Sequence, residues 1–316
     1  MSNHYPRTSI QSAKTNTNTL LLVDGNNIVH RAYWIAKGQH GGDKDSNLHV
    51  DIFLRSIRKA ATETRSAKVI VTWDMRKESG PSIRAEESEI YKGTRNKEAN
   101  KEANAKNDII IEILASMGIL SIYPTKGEAD DIIAYVSKTE KNHDRVIILS
   151  ADTDLLQLID ERVYISSPTK KKVYDEAEFI ADYKMTPRDY VRFKSITGDT
   201  ADNIIGVPRV GKITAMKYMS GEKTLTKEQE EIVAKNYSLI DLCHHTKSEE
   251  DIWQAEYADY KAQMNKIHPT PDYKQFLKLC NIHGLDNIIK SKSSFHSKFF
   301  QGSTMVNIFN LLRARD

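Results

Sequence analysis

Nine carboxylates of this 316-residue chain fall where a parallel α/β sheet would gather them. Leu20-Leu21-Leu22-Val23 runs into Asp24, and Val69-Ile70-Val71 leads to Asp74. Ile119-Leu120-Ser121-Ile122 leads to Glu128, Asp130 and Asp131, and Val146-Ile147-Ile148-Leu149 leads to Asp152 and Asp154. Asp199 and Asp202 follow in Gly-Asp-Thr-Ala-Asp-Asn. The carboxyl ends of parallel strands share one edge, and ligands bind there. Crowded like charges raise each other's pKa, so such a cluster stays ionised only beside cations. Hard divalent ions with oxygen ligands, Mg2+ or Mn2+, meet that need. Two ions about 3.5–4 Å apart can clamp the attacking and leaving oxygens of an in-line phosphoryl displacement. Asp152-Thr-Asp154 offers two carboxylates from one loop, and Asp199 and Asp202, three apart, fit one helical face. Taken singly, each acid also reads as a turn or cap residue. Asp24 precedes Gly25-Asn26-Asn27, Glu128 to Asp131 opens a helix reaching Ser137, and Asp152 and Asp154 precede Leu155. The shared edge is what argues for a site.

The elements that must position these acids alternate along residues 20–175. β-rich runs lie near 20–23, 69–73, 119–123, 146–149 and 163–166. Leu48 to Thr62 reads as a helix with Val50, Phe53, Leu54, Ile57 and Ala61 on one face. Asp108 to Met117 is another, ended by Gly118. This order predicts an α/β fold, a parallel sheet flanked by helices. From about residue 185 the strand signals fade and the chain reads as mainly helical. The expected organisation is a disordered tail at 1–19, an α/β core at 20–184 and a helical region at 185–316. Between the second strand and its helix lies a polar segment with the repeat Asn96-Lys-Glu-Ala, Asn100-Lys-Glu-Ala, Asn104-Ala-Lys. The repeat favours helix but has almost no apolar face. It is expected to project into solvent or line a channel. Lys92, Arg95, Lys97, Lys101 and Lys106 outnumber Glu98 and Glu102 there.

Two basic elements could meet a polyanion. Tyr91-Lys92-Gly93-Thr94-Arg95 follows Asp74. Lys92 could stabilise a phosphate electrostatically, and Tyr91 could stack on a base. Gly206-Val-Pro-Arg209-Val-Gly211-Lys212-Ile-Thr-Ala215 places two glycines around a tight turn, with a helix starting after Gly211. Backbone amides at that start suit a phosphate, and Arg209, Lys212 and Lys217 add positive charge. This is the pattern of a helix–hairpin–helix, a sequence-independent reader of duplex backbone.

The totals exclude several classes. Hydrophobic content is 39% and net charge +3, fitting a soluble globular protein. No run approaches the roughly 18 apolar residues of a membrane span. Two cysteines, Cys243 and Cys280, make no disulfide framework, so a reducing cytoplasm is expected. With His244, His245 and His283 they match no zinc spacing. No Cys or His nucleophile constellation competes with the carboxylates. Asn307-Ile-Phe-Asn-Leu-Leu-Arg could dock on the core or on a partner.

Taken together, the motifs resemble the flap endonuclease / 5′ nuclease family, especially the small phage-type 5′→3′ exonucleases, including RNase H-like enzymes of bacteriophage. The resemblance runs from about Leu20 to Tyr218. It rests on Val-Asp-Gly-Asn-Asn (23–27), Tyr-Lys-Gly-Thr-Arg (91–95), Gly-Glu-Ala-Asp-Asp (127–131), Ser-Ala-Asp-Thr-Asp-Leu-Leu-Gln-Leu (150–158) and Gly-Asp-Thr-Ala-Asp-Asn (198–203). It implies a PIN-like fold with a helical arch at 76–107 and a helix–hairpin–helix near 204–217. It implies two Mg2+ or Mn2+ ions, one with Asp24, Asp74, Glu128, Asp130 and Asp152, the other with Asp154, Asp199 and Asp202. Asp131 matches a supporting acid and Lys92 a catalytic lysine, with Tyr91 and Arg95 near the DNA. Gly206, Arg209, Gly211 and Lys212 would bind duplex, with K+ held by hairpin carbonyls. The Asn-Lys-Glu-Ala repeat matches no family motif, and Arg209 stands where the family often has Gly.

The activity implied is hydrolysis at single-strand/duplex junctions of DNA, including 5′ flaps and nicked duplex, or of RNA primers in RNA–DNA hybrid. A monomer in the cytoplasm (the host's, if phage-encoded) is expected, with single-strand binding protein or a sliding clamp as possible replication partners and no membrane. A junction-binding protein without catalysis and a PIN-type ribonuclease of single-stranded RNA are the rival readings.

Overall fold

The computed structural model of the chain describes residues 18–40, 47–75, 80–87, 97–245, 250–266 and 268–301. Six strands form one sheet in the order β3-β2-β1-β4-β5-β6. They are β1 (Thr19–Asp24), β2 (Lys68–Thr72), β3 (Leu120–Ile122), β4 (Arg145–Leu149), β5 (Val163–Ser167) and β6 (Lys172–Tyr174). The first five are parallel, and β6 pairs antiparallel with β5 at the edge. β1 is central, with Leu21 opposite Val69 on one side and Ile147 on the other. It opens at Thr19, inside the span expected as tail; residues 1–17 and the segment 307–313 lie outside the described residues.

Strand side chains alternate between two layers, which is why Leu20-Leu21-Leu22-Val23 is apolar throughout. Leu21, Val23, Val69, Val71 and Ile147 pack with α1 (Gly25–His40), α2 (Leu48–Glu63) and, beyond the short α3 (Ile83–Glu87) and α4 (Lys97–Ala103), with α5 (Asn107–Ser116). Leu20, Leu22, Ile70, Val146 and Ile148 face α6 (Ala129–Thr139) on the other side. Each fully buried aliphatic side chain here is worth about 2 kcal/mol.

The remaining described chain adds further helices. They are α7 (Glu176–Tyr183), α8 (Pro187–Thr197), α9 (Lys212–Met219), α10 (Lys227–Ile240), α11 (Leu242–His245), α12 (Asp251–Met264), α13 (Tyr273–Ile282), α14 (Asp286–Lys290) and α15 (Lys292–Phe295). Some lie on the two sheet layers, and α9 and α10 form smaller clusters with α8. Phe179, Tyr190, Trp253, Tyr257 and Tyr260 join the α6 layer. Phe276, Cys280, Ile288, Phe295 and Phe300 join the other, so the described part of the stretch from Leu279, up to Phe300, supplies core side chains. Cys280 and Cys243 therefore pack on opposite sheet faces, which separates the cysteines of any zinc site.

Two expectations change. Asp199 and Asp202 share no helix: Gly198, at φ 76°, ends α8, and Asp199 enters a two-strand ladder, β7 (Gly198–Asp199) with β8 (Ile204–Ile205). Asp202 sits in the turn between them. The Asn-Lys-Glu-Ala repeat does not simply project. Its end docks on α1, with Ala103 fully buried, Glu102 bonded to the Tyr33 hydroxyl and 3.8 Å from Lys37 Nζ. Polar side chains make this contact, so an apolar-face test overlooks it.

Candidate active site

Two adjacent asparagines fasten the strand ends that carry the acids. Asn27 N donates to Asp24 Oδ1 (3.2 Å), and Asn27 Oδ1 accepts the amide of Ala151 (2.9 Å). Asn26 Oδ1 accepts the amide of Asp74 (2.9 Å), while its Nδ2 reaches Asn104 Oδ1 (3.4 Å). The ends of β1, β2 and β4 are thus cross-linked through one dipeptide. Gly25 is required just before it, since a Cβ there would lie 2.7 Å from the Thr72 carbonyl oxygen.

Asp24, the last residue of β1, is 4% exposed. Ser150 donates to its Oδ2 (2.7 Å), but no lysine or arginine among the described residues forms an ion pair with it. Burial, then the charges of Asp152 and Asp74, raise its pKa to about 7. Asp152 follows directly: its amide donates to Ser150 Oγ (3.0 Å), and its Oδ1 caps the amide of Asp154 (2.8 Å). Asp74 is exposed, and its Oδ1 accepts the amide of Ala129 (3.3 Å), tying it to the start of α6.

Flanking Asp24 and Asp152, four of the other acids meet protein cations. Glu128 and Asp131 form a reciprocal capping box on α6, with Glu128 N donating to Asp131 Oδ2 (2.8 Å). Arg84 of α3, 3% exposed, bonds Glu128 Oε2 (3.0 Å) and Asp131 Oδ1, and Ser82 donates to Glu128 Oε1 (3.1 Å). Asp130 is half-buried in the first turn of α6. At the other end Lys194 of α8, 7% exposed, bridges Asp154 Oδ1 and Asp199 Oδ2. Lys194 outweighs burial and holds Asp199 below the usual carboxylate range. Asp154 goes the other way, raised to about 7 by burial and by Asp152 despite the same lysine. The two carboxylates in turn hold Lys194 protonated against its burial. Asp202 is 9% exposed, and its amide donates to Asp199.

Sequence reasoning missed Arg84, Lys194, Ser150 and the bridging roles of Asn26 and Asn27. Lys194 lies five residues before Asp199, a spacing outside the helix-face rule, and only the chain reversal at Gly198 brings them together. Tyr91, Lys92 and Arg95 lie outside the described residues. Among the described residues, no three His, Cys, Asp or Glu side chains already converge as a closed metal-ligand set. Their chemistry still fits divalent cations: the donors are all oxygens, and Asp24 and Asp152 have no protein counter-charge among the described residues.

The hairpin follows β8. Gly206 passes within 2.3 Å, as a Cβ would measure it, of the Thr197 carbonyl carbon, so no side chain fits. Arg209 takes the left-handed φ of 62°, a conformation that glycine adopts without strain. Val207 and Ala215 bury the turn against Ile196 and Val233, leaving Arg209, Gly211 and Lys212 exposed.

The family model for the 5′-3′ exonuclease N-terminal, resolvase-like domain matches residues 19–184. The chain belongs to this 5′-3′ exonuclease family. It is 28% identical over 280 residues to a 5′-3′ exonuclease of Mycoplasmopsis pulmonis (strain UAB CTIP), covering 88% of this chain and 91% of that one. A thermostable DNA polymerase I of Thermus thermophilus is 31% identical over 201 residues, but the chain spans only 24% of that polymerase. Among solved structures, the T5 D15 protein co-crystallised with metal ions superposes with TM-score 0.63 at 21% identity, over 78% of this chain and 99% of that one. A bacteriophage T5 D15 flap endonuclease complex with DNA and metal ions gives TM-score 0.62 at 21% identity, over 79% of this chain and 100% of that one. These likenesses show the family member's fold to be that of the T5 protein. No helix among the described residues is long and apolar enough to cross a membrane.

Proposed function

We propose that this 5′-3′ exonuclease family member hydrolyses phosphodiesters at single-strand/duplex junctions with two divalent cations. The observation that carries the reading is the centre formed by buried Asp24 and half-buried Asp152, carboxylates without a protein counter-ion among the described residues, at the carboxyl edge of the sheet. Asp24, Asp74 and Asp152 would hold one ion, with Glu128 and Asp130 beside it. Asp154, Asp199 and Asp202 would serve the second. When bound, such ions supply the Lewis-acid charge that makes water nucleophilic and neutralises the departing 3′ oxygen.

The chain's own groups supply position and charge. Ser150 and Asn27 orient Asp24. Lys194 keeps Asp154 and Asp199 aimed together and offsets part of their repulsion. Arg84 fixes Glu128 against α6. Lys92 acts as the electrostatic stabiliser of the scissile phosphate, with Tyr91 and Arg95 gripping the strand. Arg209, Lys212 and the amide of Gly211 hold duplex phosphates, and K+ at the hairpin assists. The T5 flap endonuclease complex with DNA and metal ions supports this substrate class and cofactor class. Mg2+ is the proposed ion, and RNA–DNA hybrid a second substrate.

The test is cleavage of a 5′-flap duplex labelled at its 3′ end, in Mg2+ and in EDTA, beside Asp152→Asn. Junction cutting that needs the ion and disappears in the variant is expected. Full activity in Asp152→Asn would overturn the assignment.

A further inference from the structure

The loop that delivers Glu128 to the site is held by a helix from the far end of the chain. Glu256 of α12 is 3% exposed. Its carboxylate accepts three consecutive backbone amides, from Thr125 (3.2 Å), Lys126 (2.6 Å) and Gly127 (3.2 Å). One helical turn on, Asp259 Oδ2 lies 3.4 Å from Thr125 Oγ1. After a second turn, Gln263 accepts the Tyr123 amide (3.1 Å) and donates to the Tyr123 carbonyl (2.7 Å). Residues 256, 259 and 263 share one helix face. That face grips the loop at four backbone amides between Tyr123 and Gly127, much as a strand would.

The clamp reaches both partners of the Glu128 pair. Gly127 immediately precedes Glu128, and a Cβ on it would lie 2.4 Å from the Tyr260 hydroxyl. The Lys126 carbonyl accepts the amide of Ile83, the residue that starts α3 and precedes Arg84. Moving residues 125–127 therefore moves the acid and its arginine together. A carboxylate accepting several amides is a strong, charge-assisted anchor with a defined direction. Sheet pairing does not supply that anchor, because β3 ends at Ile122.

We propose that Glu256 is a positioning residue of the nuclease site, setting the place of Glu128 and Arg84 through the 125–127 loop. The inference rests on the nuclease reading above. It makes α12 part of the catalytic architecture, although α12 lies beyond the stretch 19–184 that defines the family. Outer contacts of this kind typically cost about 10–100-fold in metal affinity or activity when lost.

Glu256→Gln tests it, because the amide keeps the volume but turns two donors toward a set of donors. Three readouts are compared with those of Leu279→Ala, a cavity variant on the opposite sheet face that lowers melting temperature by another route. In Glu256→Gln, the Mg2+ concentration for half-maximal cleavage should rise about tenfold or more. Mn2+ binding measured without DNA should weaken by a similar factor, and amide hydrogen exchange at 125–127 should quicken. Leu279→Ala should leave all three near wild type. If Glu256→Gln fails to fold, Gly127→Ala displaces the same loop with the carboxylate intact and should show the same signature. Unchanged Mn2+ binding and Mg2+ requirement in these variants, or equal shifts in Leu279→Ala, would overturn the proposal. A wild-type protein that neither binds Mn2+ nor cleaves would instead sink the nuclease reading.

Discussion

The two ends of the carboxylate row and its middle solve the same electrostatic problem differently. Glu128 and Asp131 share Arg84, and Asp154 and Asp199 share Lys194. Asp24 and Asp152, between them, have only hydroxyl and amide donors among the described residues. The fold thus compensates about half of the carboxylate charge at each flank, one cation to two acids, while Asp24 and Asp152 meet no cation among the described residues and keep charge that an outside cation would offset. Buried charge without a partner is costly, and a fold retains it only where something else compensates. This contrast is stronger evidence for function than the number of acids.

Breaking the centre should have the largest effect. Asp152→Asn removes charge that several kcal/mol of transition-state stabilisation depend on, so cleavage should fall about a thousandfold. The same change relieves repulsion on Asp24, so the protein in EDTA should melt higher than wild type. Calorimetry beside single-turnover kinetics checks both halves. Breaking a flank should act on folding instead. Arg84→Met takes the shared guanidinium from buried Asp131 and partly exposed Glu128 and should cost about 3–5 kcal/mol in urea unfolding, with little rescue by Mg2+.

Titration sharpens the contrast. Asp24 and Asp154 both have folded-state pKa values near 7, raised from 3.8. The folded protein thus binds more protons than the unfolded chain between the two values. The stability this gives is complete below about pH 4 and is lost as pH rises through about 7, on the order of 4 kcal/mol for each group in EDTA. Urea unfolding from pH 4 to pH 8 should show the decline, and Mg2+ should abolish it above pH 7. Lys194→Met should behave between the two classes: a loss of about 2–3 kcal/mol in EDTA, largely restored by Mg2+, because a divalent ion can replace the missing ammonium. The smallest change should come from the hairpin. Arg209→Ala with Lys212→Ala should weaken duplex binding evenly across sequences and lower the salt slope by about 2. An unchanged slope would remove the hairpin from the duplex contact.

Much of this architecture was legible in one dimension. Strands followed from apolar runs, and α2 and α5 from their spacing, to within about a residue. The acids at strand ends announced the edge because strand direction and pleat are local properties. The antiparallel β6 went unseen because Lys172-Val173-Tyr174 is too short to show alternation. The helix α1 was hidden behind Gly25-Asn26-Asn27, which reads as a turn until Asn26 and Asn27 find Asp74 and Ala151 across the sheet.

The fold class, the common edge and the oxygen-only donor set could be read from the chain alone, since these depend on residue type and short-range period. Which acids share a protein cation and which do not is set by contacts between residues distant in the chain. Arg84 meets Asp131 across 47 positions, and Glu256 meets Lys126 across 130. No local rule encodes those distances. They arise because burying the apolar faces of α6 and α12 against one sheet brings their polar residues to one place, where burial makes each remaining charge count.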